Sequence, residues 1–256
     1  MKAIIIAAGE GRRFQDVGAV KPLTPLNGIQ LIRRVLSLIS EAGATEIGIV
    51  TGYRAETLEQ ELSSESQSLP VHLHFIRNEN WRHGNGTSVL AAEQFAGEPF
   101  ILLMSDHLFD SSIVNDLRAQ PLAKDGVILA VDRNLSNPLI DLDDVTRVLC
   151  QDNRIQVIGK HIEGYNAFDT GIFYVSPTLF RALAVAKEKS LSEGKSFGLS
   201  DGMQVMADWG KAEVFDIGSR FWIDVDDREM FEKAQKILSE QNQSGAGMRG
   251  RRLASG

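Results

Sequence analysis

A glycine-rich, cationic turn holds the first residues of the chain that could do chemistry. Residues 7–14 read Ala-Ala-Gly-Glu-Gly-Arg-Arg-Phe, and a Lys-Pro pair follows at 21–22. Glycines let the backbone turn tightly and aim its N–H groups at a phosphate, and Arg13 and Lys21 add positive charge. The turn lacks the third glycine of a dinucleotide fingerprint and the Gly-Lys-Ser/Thr of a P-loop. We therefore predict a phosphate site of another kind, against the alternative of a plain turn with solvated arginines.

Carboxylates stand at two further points where they could bind a cation. Asp106 follows the apolar run at 99–104, and Asp224 lies in the segment 221–227 before the last helical pattern. A carboxylate at the carboxyl end of a buried strand sits where open α/β sheets bind ligands, and carboxylate oxygens suit Mg²⁺. We predict that Asp106 and Asp224 hold Mg²⁺, with Asp226 as the alternative to Asp224.

The same carboxylates have a structural alternative, which is to cap the start of a helix. The Asp and Ser at 110–111 can cap the segment that follows Asp106, so Asp106 is not needed for capping. Asp227 is expected to cap the last helix, and we expect the same role for Asp226. Asp224 has no such role, which favours it as the metal ligand.

Asn85 and Ser88 form a weaker pattern that could contact a base. They stand in the segment His-Gly-Asn-Gly-Thr-Ser at 83–88, where two glycines allow a flat ring to approach closely. Their amide and hydroxyl groups could read the edge of that ring. The alternative is a loop in which Thr87 or Ser88 caps a helix, and the residues alone do not decide between the two.

Lys160, Asn166 and Asp169 could serve a second substrate. The lysine could neutralise a second phosphate, and the amide and carboxylate could hydrogen-bond the hydroxyls of a polyol. The alternative is a solvated lysine and a turn at the start of a strand. The acidic segment 141–144 lacks the glycine and terminal glutamate of a calcium loop, so we expect it to be solvated. His107 is expected to be a structural neighbour rather than a metal ligand, because no second histidine lies at ligand spacing.

Short apolar strands and helices alternate along the first half of the chain. Strand patterns lie at 3–8, 46–51, 71–77 and 99–104, and helical patterns at 30–42, 55–62 and 87–95. The alternation predicts a Rossmann-like α/β fold, with a mixed, mainly parallel sheet flanked by helices. Later strand patterns, with few helices between them, predict a smaller antiparallel extension; they lie at 127–131, 145–150, 155–158 and 170–175.

The composition excludes several classes of protein. The 256 residues are 24% charged and 43% hydrophobic, as in a soluble globular chain. Lys and Arg number 27 and Asp and Glu 34, so the net charge of −7 disfavours non-specific binding to nucleic acid or membranes. The first apolar run is too short to span a membrane. A single cysteine, Cys150, excludes a disulfide framework and a Cys-based zinc site, and we expect a cytoplasmic protein.

Taken together, these segments resemble the nucleotidyltransferase superfamily that makes nucleoside-diphosphate sugars and alcohols. Its signature Ala-Ala-Gly-x-Gly-x-Arg, followed by Lys-Pro, matches residues 7–13 and 21–22, and the resemblance extends to about residue 238. The chain is most similar to CTP:inositol-1-phosphate cytidylyltransferases, whose further motifs match 85–88, 105–107, 159–160, 169–171 and 222–226. One departure is Arg12, where the superfamily usually has Thr or Ser; it adds a phosphate contact or alters nucleotide preference.

The resemblance implies transfer of CMP from CTP to a phosphorylated alcohol, with inositol-1-phosphate giving CDP-inositol and pyrophosphate. It implies catalytic roles for Arg13, Lys21 and Asp106, with Mg²⁺ on Asp106 and Asp224. Acceptor contacts are implied for Lys160 and Asp169, and nucleotide contacts for Ala7, Ala8, Gly9, Glu10, Gly11, Asn85 and Ser88. Phosphocholine, aminoethylphosphonate and sugar-1-phosphate acceptors stay open. So does an inactive nucleotide-sensing subunit, although such a subunit should have lost some of these charged residues.

We predict one nucleotidyltransferase domain over residues 1–240. Its nucleotide-binding part covers about 1–110, its acceptor-binding part about 111–227, and its C-terminal helix 228–240. The Gly, Ser and Arg content of 241–256 predicts a flexible tail, which resembles the start of a linker to a membrane-embedded phospho-alcohol transferase. The chain therefore stands alone or is joined to or partnered with such a domain, and a homodimer is left open. A Ser-rich segment at 63–68 predicts a surface loop.

Overall fold

A computed structural model describes residues 1–63 and 70–253, with side chains up to Glu240. The strands are β1 (Lys2–Ala7), β2 (Pro25–Leu26), β3 (Ile29–Gln30), β4 (Glu46–Thr51), β5 (His72–Arg77), β6 (Phe100–Met104), β7 (His107–Phe109), β8 (Val127–Asp132), β9 (Arg147–Gln151), β10 (Arg154–Gly159), β11 (Ala167–Val175), β12 (Ala212–Asp216) and β13 (Trp222–Asp224). The helices are α1 (Leu31–Glu41), α2 (Ala55–Ser63), α3 (Asn85–Ala91), α4 (Glu93–Ala96), α5 (Ser112–Arg118), α6 (Thr178–Ser192), α7 (Leu199–Asp208) and α8 (Arg228–Leu253).

Nine strands form one mixed sheet, in the order β5-β4-β1-β6-β11-β8-β12-β10-β9. β1 pairs in parallel with β4 and β6, and β4 pairs in parallel with β5. Alternate residues of β1 enter two different cores, with Ile5 on one face of the sheet and Ile4 and Ile6 on the other. A strand buried on both faces needs a continuous apolar run, which explains the sequence Ala-Ile-Ile-Ile-Ala at 3–7. The predicted α/β class is confirmed.

The second half of the chain adds the antiparallel part of the sheet. β11 lies antiparallel between β6 and β8, and β12 returns parallel to β8. β9 and β10 form an antiparallel hairpin at the far edge. The register between β11 and β8 shifts between Asp169 and Phe173, which marks a bulge in β11.

The strand order places a switch point between β1 and β6. From β1 the chain builds outward through β4 and β5 on one side, and then returns to place β6 on the other side. In open α/β sheets, ligands bind at the carboxyl ends of the strands where the order reverses. The glycine turn that begins at Ala8 follows β1, and Asp106 follows β6, so both predicted segments lie at this point.

A two-stranded ribbon brings the end of the chain back to the switch point. β13 pairs antiparallel with β7, so that Asp224 lies opposite His107. The indole Nε1 of Trp222 donates to Asp132 Oδ2 at 2.9 Å, at the end of β8. Asp132 is only 2% exposed, and this bond therefore ties the ribbon to the main sheet from within the core.

α7 and the helix predicted at 87–95 differ from the sequence expectation. The sequence does not predict α7, because Ser, Gly and Asp in its first turns are poor helix formers. Its Gly202 packs against Leu183 of α6, where a Cβ would collide with the leucine side chain. The helix expected at 87–95 begins earlier, at Asn85, and is divided at Ala92. Most of the Ser-rich segment predicted at 63–68 lies outside the described residues.

The last helix, α8, continues past the boundary that the sequence predicts at residue 240. It covers 241–253, where the Gly, Ser and Arg content predicts an irregular tail, and 254–256 lie outside the described residues. The flexibility of this tail stays a prediction, as do the boundaries of the single domain. In the part of the chain that the structure describes, no helix has the length and apolar character required to cross a membrane.

Replacing Trp222 by Phe is expected to destabilise the fold by about 1.5–3 kcal/mol. The substitution keeps an aromatic ring but removes one donor to the buried Asp132 carboxylate, whose Oδ2 also accepts from Asn137 Nδ2 at 2.8 Å. A hydrogen bond to a charged group contributes about 1.5–3 kcal/mol. Urea unfolding of Trp222→Phe measures the change. Trp209→Phe is the control, since that indole packs against the Arg181 guanidinium at 5.5 Å. Equal stability losses in the two variants would contradict the anchoring role of Trp222.

Candidate active site

A cavity of about 630 Å³ lies at the carboxyl ends of β1 and β6. Most of the predicted side chains line it, although they come from distant parts of the chain: Ala7, Gly9, Gly11, Lys21, Asn85, Ser88, Asp106, Lys160, Asp169 and Asp224. Ala8 is buried in one of the two cores, and Glu10 pairs with Arg12 at 2.8 Å. Arg13 reaches the lining residue Asp226, with Nη2 at 2.7 Å from Oδ2. One cavity therefore unites the predicted nucleotide and acceptor residues.

The glycine turn is packed against the Lys21 side chain. Gly11 has a left-handed φ of +61°, and a Cβ at this position would lie 3.0 Å from the Cβ of Lys21. A glycine is required here both for the backbone angle and for the close approach of the lysine stem. The position of Lys21 is therefore coupled to the shape of the turn.

Lys21 is the buried cation of the site, with only 6% of its side chain exposed. Its Nζ lies 2.5 Å from Asp106 Oδ2 and also contacts Asp226 Oδ1. Burial alone lowers the pKa of Lys21, but the Asp106 and Asp226 carboxylates outweigh it and hold that pKa above its ordinary value. Burial acts to raise the pKa of Asp106, and Lys21 together with His107 holds it below its ordinary value. Both groups are therefore charged at neutral pH.

Asp226 lies in the site, so the expectation that it caps α8 is wrong. Asp227 performs the capping, since its Oδ1 accepts from the backbone N–H of Met230 at 2.8 Å. The Asp226 carboxylate instead accepts from Lys21 and Arg13. The sequence leaves Asp226 open only as the alternative to Asp224 as a cation ligand, and both residues line the cavity.

The carboxylates fit a hard divalent cation. Oxygens of Asp144, Asp224 and Asp226 lie within 4.8 Å of one another, as do ligand atoms of Asp106, His107 and Asp224. Asp224 Oδ1 is buried and has no hydrogen-bond partner among the described residues. A buried, unpaired carboxylate oxygen is costly unless a cation or donor meets it. This donor set suits Mg²⁺, which prefers carboxylate oxygens.

Asp224 and His107 have strongly displaced proton affinities. Burial, with the nearby Asp226 and Asp106 carboxylates, raises the pKa of Asp224 to about 6. Burial lowers the pKa of His107, but the Asp224 carboxylate outweighs this effect and raises that pKa to about 10. The pair lies at 3.2 Å, between His107 Nε2 and Asp224 Oδ2.

Asp144 belongs to the site, which corrects the expectation of a solvated acidic segment at 141–144. Its Oδ2 accepts from Arg13 Nη2 at 2.7 Å, and its Oδ1 contacts Lys160 Nζ. Arg13 also reaches Asp141 at 3.4 Å. The two cations predicted for separate phosphates therefore converge on one carboxylate. The sequence does not predict the contacts of Asp144, because this residue lies in a loop between β8 and β9, where no apolar periodicity shows which way a side chain points.

Asn85 and Ser88 both line the cavity. The alternative in which Thr87 or Ser88 caps a helix is wrong, and contact with a base is untested. α3 begins at Asn85, so Thr87 and Ser88 are inside the helix and do not cap it. The Asn85 Oδ1 accepts from Leu199 N at 2.8 Å, and Ser88 Oγ accepts from Asn78 Nδ2 at 3.0 Å. Base contacts by these residues stay a prediction, in which Asn85 would use its amide nitrogen.

Asp169 and Lys160 line the same cavity, whereas Asn166 serves the fold. Asn166 exchanges hydrogen bonds with the backbone of Cys150 at 2.8 and 3.0 Å, so the polyol contact expected of it is wrong. Asp169 accepts from Gly171 N at 2.7 Å, and burial raises the pKa of its carboxyl to about 6. It is the carboxylate that the β11 bulge presents to the cavity.

This architecture, with a glycine-rich turn and an acidic cluster at the switch point of an α/β sheet, is that of a nucleotide-dependent transferase. The chain belongs to the family described as MobA-like NTP transferase domain, whose sequence profile matches residues 3–188. The sequence resemblance to nucleotidyltransferases is thereby confirmed.

Two relatives are named bifunctional IPC transferase and DIPP synthase. The chain is 30% identical to the one from Aquifex aeolicus, over 96% of this chain and 53% of the relative. It is 30% identical to the one from Rubrobacter xylanophilus, over 88% of this chain and 49% of the relative. The chain therefore spans about half the length of these curated relatives.

Solved structures share the fold over nearly the whole chain. The inositol-1-phosphate CTP transferase from T. maritima is 26% identical, with a TM-score of 0.78 over 91% of this chain and 96% of that one. A UDP-glucose pyrophosphorylase complexed with UDP-glucose is 19% identical, with a TM-score of 0.74 over 94% and 98%. The second likeness shows the fold alone.

Replacing Asp144 by Asn is expected to strengthen the binding of inorganic phosphate about threefold to tenfold. The substitution releases Arg13 and Lys160 from a competing carboxylate, and partly exposed ion pairs are worth up to about 1 kcal/mol. Titration calorimetry without a divalent cation measures the affinity. Asp143→Asn is the matched control, because it removes the same charge from an exposed neighbour in the same loop. An equal gain in both variants would show a general charge effect and contradict the specific competition.

Proposed function

We propose that this chain transfers CMP from CTP to inositol-1-phosphate, giving CDP-inositol and pyrophosphate. The observation that carries the proposal is a single cavity, which the glycine turn after β1 shares with Lys160 and Asp169. The carboxylates of Asp106, Asp224 and Asp226 line the same cavity. The names of the two relatives and the likeness to the inositol-1-phosphate CTP transferase support this choice of substrates. A cavity of this size also fits a nucleotide and a small acceptor together.

The reaction is an in-line displacement at phosphorus. An oxygen of the acceptor phosphate forms a bond to the α-phosphorus of CTP, and the bond from that phosphorus to the bridging oxygen of pyrophosphate breaks. The attacking phosphate is already anionic, so the site needs no general base. Catalysis then depends on holding two anions together and stabilising the pyrophosphate that leaves.

On the nucleotide side, we assign the triphosphate to the glycine turn. Gly9 and Gly11 allow the phosphates to approach the backbone, and Arg13 and Lys21 supply the cations. To do so, Lys21 Nζ exchanges its contacts with Asp106 and Asp226 for the phosphate oxygens. Asn85 is assigned to the edge of the cytosine.

Asp106 and Asp224 are the residues that would hold Mg²⁺, with Asp226 beside them. Bound there, Mg²⁺ would polarise the α-phosphate and neutralise developing charge. The orphaned Oδ1 of Asp224 supports this assignment.

The acceptor side favours a polyol over a choline head group. Lys160 can pair with the acceptor phosphate, and the buried Asp169 can accept hydrogen bonds from ring hydroxyls. A quaternary ammonium would need exposed aromatic faces. Phe168 is fully buried, and the Arg147 guanidinium covers Tyr165 at 5.1 Å from the ring centroid. Phe168 therefore offers no open face to a cationic head group, and Tyr165 is already paired with a cation of the protein.

The wider role is also part of the proposal. The relatives are named as bifunctional, which supports a second, membrane-embedded phospho-alcohol transferase, joined to this unit or partnered with it. The CDP-alcohol would then serve phospholipid biosynthesis, with CTP drawn from the cytoplasm. A homodimer stays a prediction.

A pyrophosphate-release panel tests the proposed function directly. Four nucleoside triphosphates are crossed with inositol-1-phosphate, phosphocholine, aminoethylphosphonate and glucose-1-phosphate, each with Mg²⁺. The proposal expects the CTP and inositol-1-phosphate pair to be fastest. Faster use of another acceptor with CTP would overturn inositol-1-phosphate as the acceptor. Preference for another triphosphate would overturn the cytidylyl assignment. Binding of CTP without turnover in any pair would point to a sensing subunit.

Asp106→Asn is expected to reduce kcat by more than about a hundredfold. Loss of a carboxylate from the cation site removes several kcal/mol of charge stabilisation in the transition state. Steady-state kinetics with Mg²⁺ measures the loss, and thermal unfolding checks the fold. Asp110→Asn is the control, because that carboxylate accepts from Ser112 N at the start of α5, outside the cavity. Near wild-type turnover in Asp106→Asn would refute the role of this residue.

Asp169→Asn is expected to lower the preference for inositol-1-phosphate over phosphocholine about tenfold or more, because a carboxylate built to bind hydroxyls discriminates strongly. The wild-type preference should also fall as the pH drops through about 6, since burial raises the pKa of Asp169 to about 6 and only its ionised form accepts at both oxygens. The Asn variant should lack this extra pH dependence. Titration of the substrate phosphate affects both proteins equally. If the preference showed the same pH profile in the wild type and in Asp169→Asn, Asp169 would be excluded as the residue that selects the acceptor.

A further inference from the structure

His107 lies between the two halves of the cavity. Its Nδ1 is 2.7 Å from the carbonyl oxygen of Thr170 on β11, and its Nε2 is 3.2 Å from Asp224 Oδ2 on β13. The side chain is 12% exposed, so little water competes for these contacts. One ring therefore joins the strand that carries the acceptor carboxylate to the strand that carries the cation ligand.

Gly171 makes room for this ring. It has a left-handed φ of +73°, and a Cβ at this position would collide with Nδ1 and Cε1 of His107. Its own N–H donates to Asp169 Oδ1 at 2.7 Å, inside the bulge where the β11 register shifts. The same bulge thus aims Asp169 at the cavity and turns the Thr170 carbonyl toward the imidazole.

We propose that His107 is a positioning residue for Asp224, held in place by the β11 bulge. By donating to Asp224 Oδ2 it fixes the orientation of that carboxylate, so that Oδ1, which has no partner among the described residues, is left to face the cation. By donating to Thr170 it sets the cation ligand at a constant distance from the acceptor strand. The chemistry that this serves rests on the proposed function, while the positioning itself does not.

Both ring nitrogens of His107 are engaged, which separates this role from direct ligation. A nitrogen that donates a proton to a carboxylate or a carbonyl has no lone pair for a metal. Outer partners of metal ligands commonly change metal affinity tenfold to a hundredfold when they are lost. The effect expected for His107 is of that kind.

The test measures Mn²⁺ binding to the substrate-free protein by electron paramagnetic resonance. His107→Ala should weaken Mn²⁺ binding about tenfold. His107→Gln, which keeps one amide donor for Asp224, should recover part of the loss. Gly171→Ala should reproduce the loss of Mn²⁺ affinity, because the added Cβ displaces the imidazole ring. The double variant with His107→Ala should bind Mn²⁺ little more weakly than His107→Ala alone, because both substitutions act through the same contact.

Gly218→Ala is a closely matched control. Gly218 has a φ of +65°, and its N–H donates to the Asp216 carboxylate two residues earlier, as Gly171 donates to Asp169. No atom lies within 4 Å of a Cβ built at Gly218, so the variant carries the backbone strain without the collision. We expect it to leave Mn²⁺ affinity unchanged.

Three results would overturn the proposal. Unchanged Mn²⁺ affinity in His107→Ala would exclude positioning of Asp224. Nitrogen coupling in the Mn²⁺ spin-echo spectrum of the wild type would make His107 a ligand instead. A loss in Gly218→Ala equal to that in Gly171→Ala would attribute the glycine effect to strain.

A comparison of kcat with the KM for CTP separates this proposal from the proposed function. In an active enzyme, His107→Gln should lower kcat while the KM for CTP stays within about twofold, because the turn that holds the nucleotide is untouched. If no cytidylyl transfer is found for the wild type, the Mn²⁺ arm still decides the role of His107. Should Gly171→Ala fail to fold, the two His107 variants carry the test, with thermal unfolding as the check on each.

Discussion

The charge balance around Lys21 is the constraint on which the rest of the site depends. Asp106, Asp224 and Asp226 converge in a partly buried place, where like charges repel more strongly than in water. The Lys21 ammonium binds two of these carboxylates, and His107 binds the third. Each carboxylate thus has a cationic partner within the protein, and the cluster can be assembled before any ligand arrives. The switch point of the sheet is what allows three such distant segments to meet.

The cations that would bind anionic substrates under the proposed function are paired with carboxylates of the protein. Arg13 and Lys160 meet on the Asp144 carboxylate, and Lys21 is held by the acidic cluster. A phosphate that bound there would therefore have to displace a carboxylate from its cation. The displaced carboxylates would then be available to a metal ion. Under the proposed function, binding in this cavity would be an exchange of ionic partners, which would keep the net charge of the interior small at each stage.

Local rules predicted the elements of this fold better than its contacts. Continuous apolar runs identify the buried strands β1, β4 and β6, and the end of one of them identifies Asp106. The capping rule favours Asp226 as a helix cap, whereas its contact with Lys21 joins residues 205 positions apart and leaves no local trace. Asp144 was assigned to solvent for the same reason, since a loop has no periodicity that shows which cation it meets. α7 forms although its first turns contain poor helix formers. The packing of Gly202 on Leu183 outweighs helix propensity there.

The acidic cluster also links ligand binding to the stability of the fold. Burial and the nearby Asp226 raise the pKa of Asp224 to about 6, well above that of a carboxyl in an unfolded chain. A carboxyl with a raised native pKa binds its proton more tightly when folded, so its ionisation destabilises the fold as the pH rises through that value. A cation that binds the native carboxylates but not the unfolded chain offsets this cost by mass action. Because Asp106 follows β6 and Asp224 belongs to the ribbon strand β13, such a cation would also draw the ribbon onto the sheet. The geometry needed for transfer would therefore be most firmly held when the site is loaded.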